Sequence, residues 1–193
     1  MLLFLDKIRH NAGFSKIISF FGYFYLAFWN HIFNKVPSYA FRNFVAKHIY
    51  GLKLGKSSNI HFGVTLLSPW RIKIGDNCNV QMHCLLDGRG NLIIHNNVDI
   101  TLGVKIFTEQ HNINSANYDT VKKEVVLHDN VVIGSYSLIL PGVTVSEGAV
   151  IAAGSVVPKD IPEYVMAAGN PAIVKSDRNK EINYKLNFRR PFH

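Results

Sequence analysis

From Leu127 to Pro162 the chain repeats every six residues, as LHDNVV, IGSYSL, ILPGVT, VSEGAV, IAAGSV and VPKDIP. Aliphatic side chains stand at 127, 133, 139, 145, 151 and 157 without a slip, and Val131, Ser137, Val143, Ala149 and Ser155 follow four positions later. One such repeat cannot bury its own apolar face, so each must stack on the next. Three hexads close one triangular coil of eighteen residues. The aliphatic residue points into the prism, the compact residue sits at a crowded corner, and Gly or Asn serves turns that need positive φ. The pattern predicts an all-β chain folded as a parallel β-helix.

The phase extends backwards. Leu54, Ile60 and Leu66 keep it, then Ile74, Val80 and Leu86, then Ile94, Ile100 and Ile106. The steps from 54 to 74 and from 74 to 94 are twenty residues, a coil with two residues inserted. Asp87-Gly88-Arg89-Gly90-Asn91 is the expected place of the second insertion. Between Ile106 and Leu127 lies FTEQHNINSANYDTVKKEVV, which is polar and lacks the aliphatic period. It predicts an extended loop, 107–126, thrown out of about five stacked coils. Loops held by a rigid scaffold often carry the chemistry. The chain thus divides into an N-terminal segment 1–51, a β-helix 52–175 and a tail 176–193.

Charge is unevenly placed. Residues 1–75 hold ten Lys/Arg and one acidic residue, Asp6, whereas the remainder holds eleven basic and twelve acidic residues. The same N-terminal stretch has ten of the thirteen Phe. Its apolar run Ile17–Trp29 is thirteen residues long, short of the roughly twenty a membrane-spanning helix needs. No small-residue cleavage site follows, which argues against a signal peptide. Two expectations stand for this basic, aromatic helical segment. It packs on the prism or a neighbouring subunit, or it lies peripherally on the anionic inner face of the cell membrane. Nucleic-acid binding is not expected, because the aromatics form an apolar run instead of alternating with Lys/Arg. Cys78 and Cys84 both fall at corner positions and read as buried small residues. With no CxxC pair, a reducing, cytoplasmic location fits.

The run IHNNVDITLGVKIFTEQH (94–111), followed by VVIGSYSLILPGVTVSEGAVIAAGSVVPKDIPEYVMAAGNPAIV (131–174), resembles the hexapeptide-repeat, left-handed β-helix acyltransferases. It is most similar to the galactoside and maltose O-acetyltransferases and the capsule and O-antigen O-acetyltransferases. The left hand of the helix comes from this resemblance. So does the expected activity: transfer of acetyl from acetyl-CoA to a saccharide hydroxyl in bacterial surface polysaccharide synthesis, by homotrimers with sites at subunit junctions. The acceptor is free, lipid-linked or nucleotide-linked. N-acetylation of an amino nucleotide sugar or a small antibiotic uses the same kind of base and remains open. A β-helix that only scaffolds or binds is the non-enzyme alternative.

The resemblance places the general base at His111, in the loop after Ile106. A neutral imidazole suits removal of a hydroxyl proton near neutral pH. Asp87 is implied in acceptor binding, although a turn Asp before Gly reads equally well; His83 is a second candidate for the acceptor cleft. For the coenzyme the resemblance implies Ser135, Ala153, Pro158, Lys159 and Lys175. The chain departs from the galactoside enzymes at Pro158, where a hydroxyl and a backbone donor are lost, at Val132 in place of a Trp, and at Ile173 in place of an Arg that Lys175 could replace electrostatically. His61, His95 and His128 each take the second, outward position of a hexad. His10, His31 and His48 belong to the N-terminal segment, and His193 is the last residue. Related prisms hold zinc with two histidines five apart; no H-x4-H pair occurs here, so no metal is expected.

Overall fold

The computed structural model describes residues 12–187; residues 1–11 and 188–193, parts of the expected N-terminal and C-terminal segments, lie outside the described residues. Three parallel sheets form the sides of a triangular prism. The first side contains β1 (Lys53–Leu54), β4 (Ile72–Ile74), β7 (Leu92–Ile94), β12 (Val125–Leu127) and β15 (Thr144–Val145). The second contains β2 (Asn59–Ile60), β5 (Asn79–Val80), β8 (Asp99–Ile100), β13 (Val132–Ile133), β16 (Val150–Ile151) and β18 (Val165–Gly169). The third contains β3 (Thr65–Leu67), β6 (Leu85–Asp87), β9 (Lys105–Ile106), β14 (Leu138–Ile139) and β17 (Val156–Val157). Five coils are complete, and Ile161, bridged to Val145, begins a sixth.

The registers are those the hexads predict. Ile60, Val80, Ile100, Ile133 and Ile151 stand in one column, and Leu66, Leu86, Ile106, Ile139 and Val157 in another. All ten are fully buried. Each contributes on the order of 1.5–3 kcal/mol of burial, and each rests only on the coils above and below. The compact corner residues, Cys78 and Cys84 among them, are buried as well. Burial pushes the Cys78 thiol up to about 11 and that of Cys84 to about 12, so neither is a ready nucleophile.

The turns explain the residues at the other corners. Asn77, Asn97 and Asn130 share a column of positive φ between the first and second sides. Gly63, His83, Gly103, Tyr136 and Gly154 form the equivalent column between the second and third. Here glycine also makes room. A Cβ on Gly63 would stand 2.6 Å from His83 Nδ1, and one on Gly103 2.5 Å from the Tyr136 ring.

The first coil would present a free edge, a liability that natural β proteins cover. Helix α1 (Ala12–His31) and helix α2 (Tyr39–Phe44) cover it. Trp29 Nε1 donates to Val64 O, and Asn30 both donates to Leu66 O and accepts from Leu66 N. Asn43 does the same for Ser58 O and Ile60 N, and the buried Arg42 donates Nε to Ile60 O. The cap corrects one expectation: His61, expected to point outward into solvent, is 4% exposed, because Tyr39 packs over it and Asn79 Oδ1 lies 2.7 Å from its Nε2. His95 and His128 do face outward and stack at 5.0 Å. At the far end β19 (Ala172–Asp177) folds back antiparallel on β18. The chain then runs down the asparagine corner, where Asn97 donates to Tyr184 O and accepts from Leu186 N.

Candidate active site

Every lengthened coil departs from the prism at the same corner, between the third and first sides. The first departure is the turn Pro69–Arg71, the second 88–91, the third the segment between β9 and β12. That third segment is the excursion expected at 107–126, and it has regular structure of its own. It is an antiparallel hairpin of β10 (Glu109–His111) and β11 (Thr120–Lys122), with Glu109 opposite Lys122 and His111 opposite Thr120. Its backbone groups pair with each other, as a segment leaving the prism requires.

The DGRG turn seats the hairpin. Gly88 N donates to Leu67 O, and Gly90 N to Thr108 Oγ1 at 2.7 Å. Neither position has room for a side chain: a Cβ would stand 2.4 Å from Ser68 O at Gly88 and 2.4 Å from Thr108 O at Gly90. Asp87 is fully buried. Its Oδ1 accepts from Arg89 N and Nε, both at 2.9 Å, and its Oδ2 from Arg89 Nη2 at 3.0 Å and Thr108 N at 2.9 Å. Burial alone would raise the Asp87 pKa, but the Arg89 and Thr108 donors outweigh it and hold the carboxyl below its usual value. The Asp87 carboxylate in turn raises that of Arg89. Arg89 Nη1 also donates to Glu109 Oε1 at 2.7 Å, and Lys122 Nζ lies 3.2 Å from Glu109 Oε2. A chain of charges thus runs from the buried carboxylate to the hairpin strand that ends in His111.

His111 is exposed, and its ring stacks on Tyr118 at 4.0 Å. Its Nδ1 lies 2.9 Å from Tyr118 O. A carbonyl only accepts, so Nδ1 carries the proton and Nε2 of the neutral ring keeps its lone pair. The ring therefore presents an oriented lone pair.

Ser135, Ala153, Pro158 and Lys159 lie around the outward surface of β9, β14 and β17. Ser135 and Ala153 sit in adjacent coils on one edge, with Gly154 N donating to Ser135 O and Ser135 Oγ to Thr101 Oγ1. Pro158 and Lys159, both exposed, follow β17 on the other edge, the corner from which the hairpin springs. The hairpin leans along that corner, where Lys123 covers Gly142. Between the edges the outward residues Leu138, Leu140 and Val156 are partly exposed and apolar. Lys175 is not brought to Lys159: it lies on β19, attached to a different side. His83 shares the corner of Ser135, not that of His111. An open cleft of about 400 Å³, lined by Trp70, Arg71, Lys73, Asn91, Ile93 and Glu124, flanks the hairpin corner without including His111. Among the described residues no group of three His, Cys, Asp or Glu could hold a metal ion. Sequence reasoning missed Arg89, Glu109, Lys122 and Tyr118; the one signal for them was the opposite charge of Glu109 and Lys122, uninformative until the hairpin pairing is known.

Comparison with known proteins agrees with the fold. The family model described as bacterial transferase hexapeptide (six repeats) matches residues 124–159. Galactoside O-acetyltransferase of Escherichia coli K12 is 33% identical over 137 residues, 69% of this chain and 59% of that protein. A putative acetyltransferase of Saccharomyces cerevisiae is 37% identical over 127 residues, 62% of either chain. Such matches span only 54 to 62% of the length of these curated relatives. Among solved structures, a hexapeptide-repeat acetyltransferase of Vibrio cholerae O1 biovar eltor complexed with acetyl coenzyme A superposes with TM-score 0.73 at 27% identity, covering 89% of this chain and 92% of that one. A galactoside acetyltransferase in complex with coenzyme A gives 0.72 at 28%, covering 85% of each.

Proposed function

We propose that the chain is a member of the hexapeptide-repeat acyltransferase family and an acetyl-CoA-dependent O-acetyltransferase acting on a saccharide hydroxyl in bacterial surface polysaccharide synthesis. The observation that carries this reading is the oriented His111, whose Nδ1 is held by Tyr118 O and whose Nε2 is free to accept a proton. In the proposed reaction the acceptor hydroxyl gives its proton to Nε2 as its oxygen attacks the thioester carbonyl. The new C–O bond forms, the C–S bond breaks, and the sulfur leaves as thiolate, to be protonated by the imidazolium. No covalent acyl-enzyme is required.

The residues present fit a pantetheine-bearing donor. The surface between Ser135–Ala153 and Pro158–Lys159 offers apolar contact along its middle, backbone at one edge and the Lys159 ammonium at the other. Lys159 would pair with coenzyme phosphates; Lys175, on the other side, would reach them only at the far end of the molecule. A backbone N–H at the Ser135 turn would face the carbonyl oxygen as it gains charge. Asp87 acts through Arg89 and Thr108, since its own oxygens already accept four N–H donors. His83 would meet the acceptor only across a subunit boundary. A cyclic homotrimer, an ordinary closed assembly, can set the His83 corner of one subunit against the His111 hairpin of the next.

The test is to mix the protein with acetyl-CoA and hydroxyl and amino sugars, free, nucleotide-linked and lipid-linked, and to follow thiol release. Turnover on a hydroxyl sugar is expected. Turnover confined to amino sugars would replace the reading with N-acetylation. Silence together with failure to bind acetyl-CoA would favour a scaffold or binding role.

A further inference from the structure

Helix α1 is apolar on two faces. One face, with Tyr25, Leu26 and Trp29, packs on the prism. The other carries Phe20, Phe24 and Phe28 at helical spacing, with Phe20 against Phe24 at 6.5 Å and Phe24 against Phe28 at 5.0 Å. Phe20, Phe21 and Phe24 are 65%, 62% and 55% exposed, and Phe44 on the neighbouring α2 is 59% exposed. An apolar surface of this extent on a folded chain marks an interaction site. A helix with two apolar faces sits between two apolar media, and the prism is only one of them.

Charge identifies the other. From Lys7 to Gly75 there is no acidic residue. Lys35 follows Phe33, which touches Phe28 and Phe41; Lys47 stands between Phe44 and His48, whose rings lie 4.8 Å apart. Both lysines are exposed. A second copy docked cap to cap would bring two positive surfaces together without counter-charge. A bilayer with anionic headgroups supplies negative charge at its surface and an apolar medium beneath it. No helix among the described residues is long and apolar enough to cross a membrane, so the contact lies in the interface.

We propose that the helical cap is a docking surface for an anionic lipid bilayer, with Phe20, Phe21, Phe24 and Phe28 entering the boundary between headgroups and acyl chains and Lys35 and Lys47 pairing with lipid phosphates. The inference stands on the cap alone and holds whichever reaction the hairpin serves.

Cosedimentation of the full chain with vesicles tests it. Vesicles of phosphatidylcholine with phosphatidylglycerol should carry the protein down at low salt and release it at high salt, whereas phosphatidylcholine alone should retain little. The combined substitution Phe20→Ser, Phe21→Ser, Phe24→Ser should weaken partitioning by about tenfold or more, with the far-ultraviolet circular dichroism unchanged. Lys35→Glu with Lys47→Glu, both at exposed positions, should remove the preference for anionic vesicles. No cosedimentation with anionic vesicles would overturn the proposal, as would equal partitioning of the triple variant. It would also fall if the native chain, without lipid, doubled its mass with concentration and the triple variant did not, since the cap would then be covered by a second copy.

Discussion

A carbonyl oxygen 2.9 Å from Nδ1 decides what His111 can do, because it leaves the proton on one nitrogen and the lone pair on the other. The sequence made the imidazole a candidate, but its tautomer depends on Tyr118, seven positions on, and on the turn that brings the two together. Asp87 shows the opposite case. Its place in a DG turn was legible; its burial was not, because it depends on the Arg89 side chain folding back over it and on Thr108 from the next coil. Its pKa is held below the ordinary value near 3.9, so its stabilising contribution is present above that pH and is lost as the pH falls through the lower, folded value. Asp87→Asn should cost on the order of 3 kcal/mol near neutrality, since it leaves buried donors facing an amide. Denaturant titrations should show the gap between native and variant narrowing as the pH drops below about 4. A gap independent of pH would contradict the ionised pairing.

At the scale of elements, the strands were legible and the hairpin was not. Hexads declare themselves because Ile133 or Val157 can be buried in only one phase. The segment 107–124 has no apolar face to bury; its pairing is fixed by the root that Gly88, Gly90 and Thr108 make with the coil below. The root also sets where His111 points. Gly90→Ala should push the Thr108 carbonyl away and tilt the hairpin. A displacement of about 1 Å at a reacting group can cost up to roughly a hundredfold in rate. We expect kcat to fall by about tenfold or more while the KM for acetyl-CoA stays within about twofold, because the donor surface proposed above is the β9–β14–β17 face. A rise in that KM with kcat intact would mean that the hairpin serves the donor instead.

The whole molecule is a stack whose two ends are treated differently. The cap closes the first coil with Asn30, Arg42 and Asn43, while β19 and the tail close the last and run back over Asn97. Neither closure has a period to betray it, since each side chain is chosen by one unpaired backbone group rather than by a repeat. In one chain His111 stands on an open edge and His83 on another, so the complete site proposed here needs a neighbour. Light scattering should give about three times 21.8 kDa; a fully active monomer would refute shared sites. The most direct test of the chemistry is steady-state thiol release from acetyl-CoA by His111→Ala beside the native chain, with donor affinity measured by calorimetry. The account predicts a kcat lower by about 10² to 10⁴ with acetyl-CoA binding retained. Near-native turnover by the variant would contradict it.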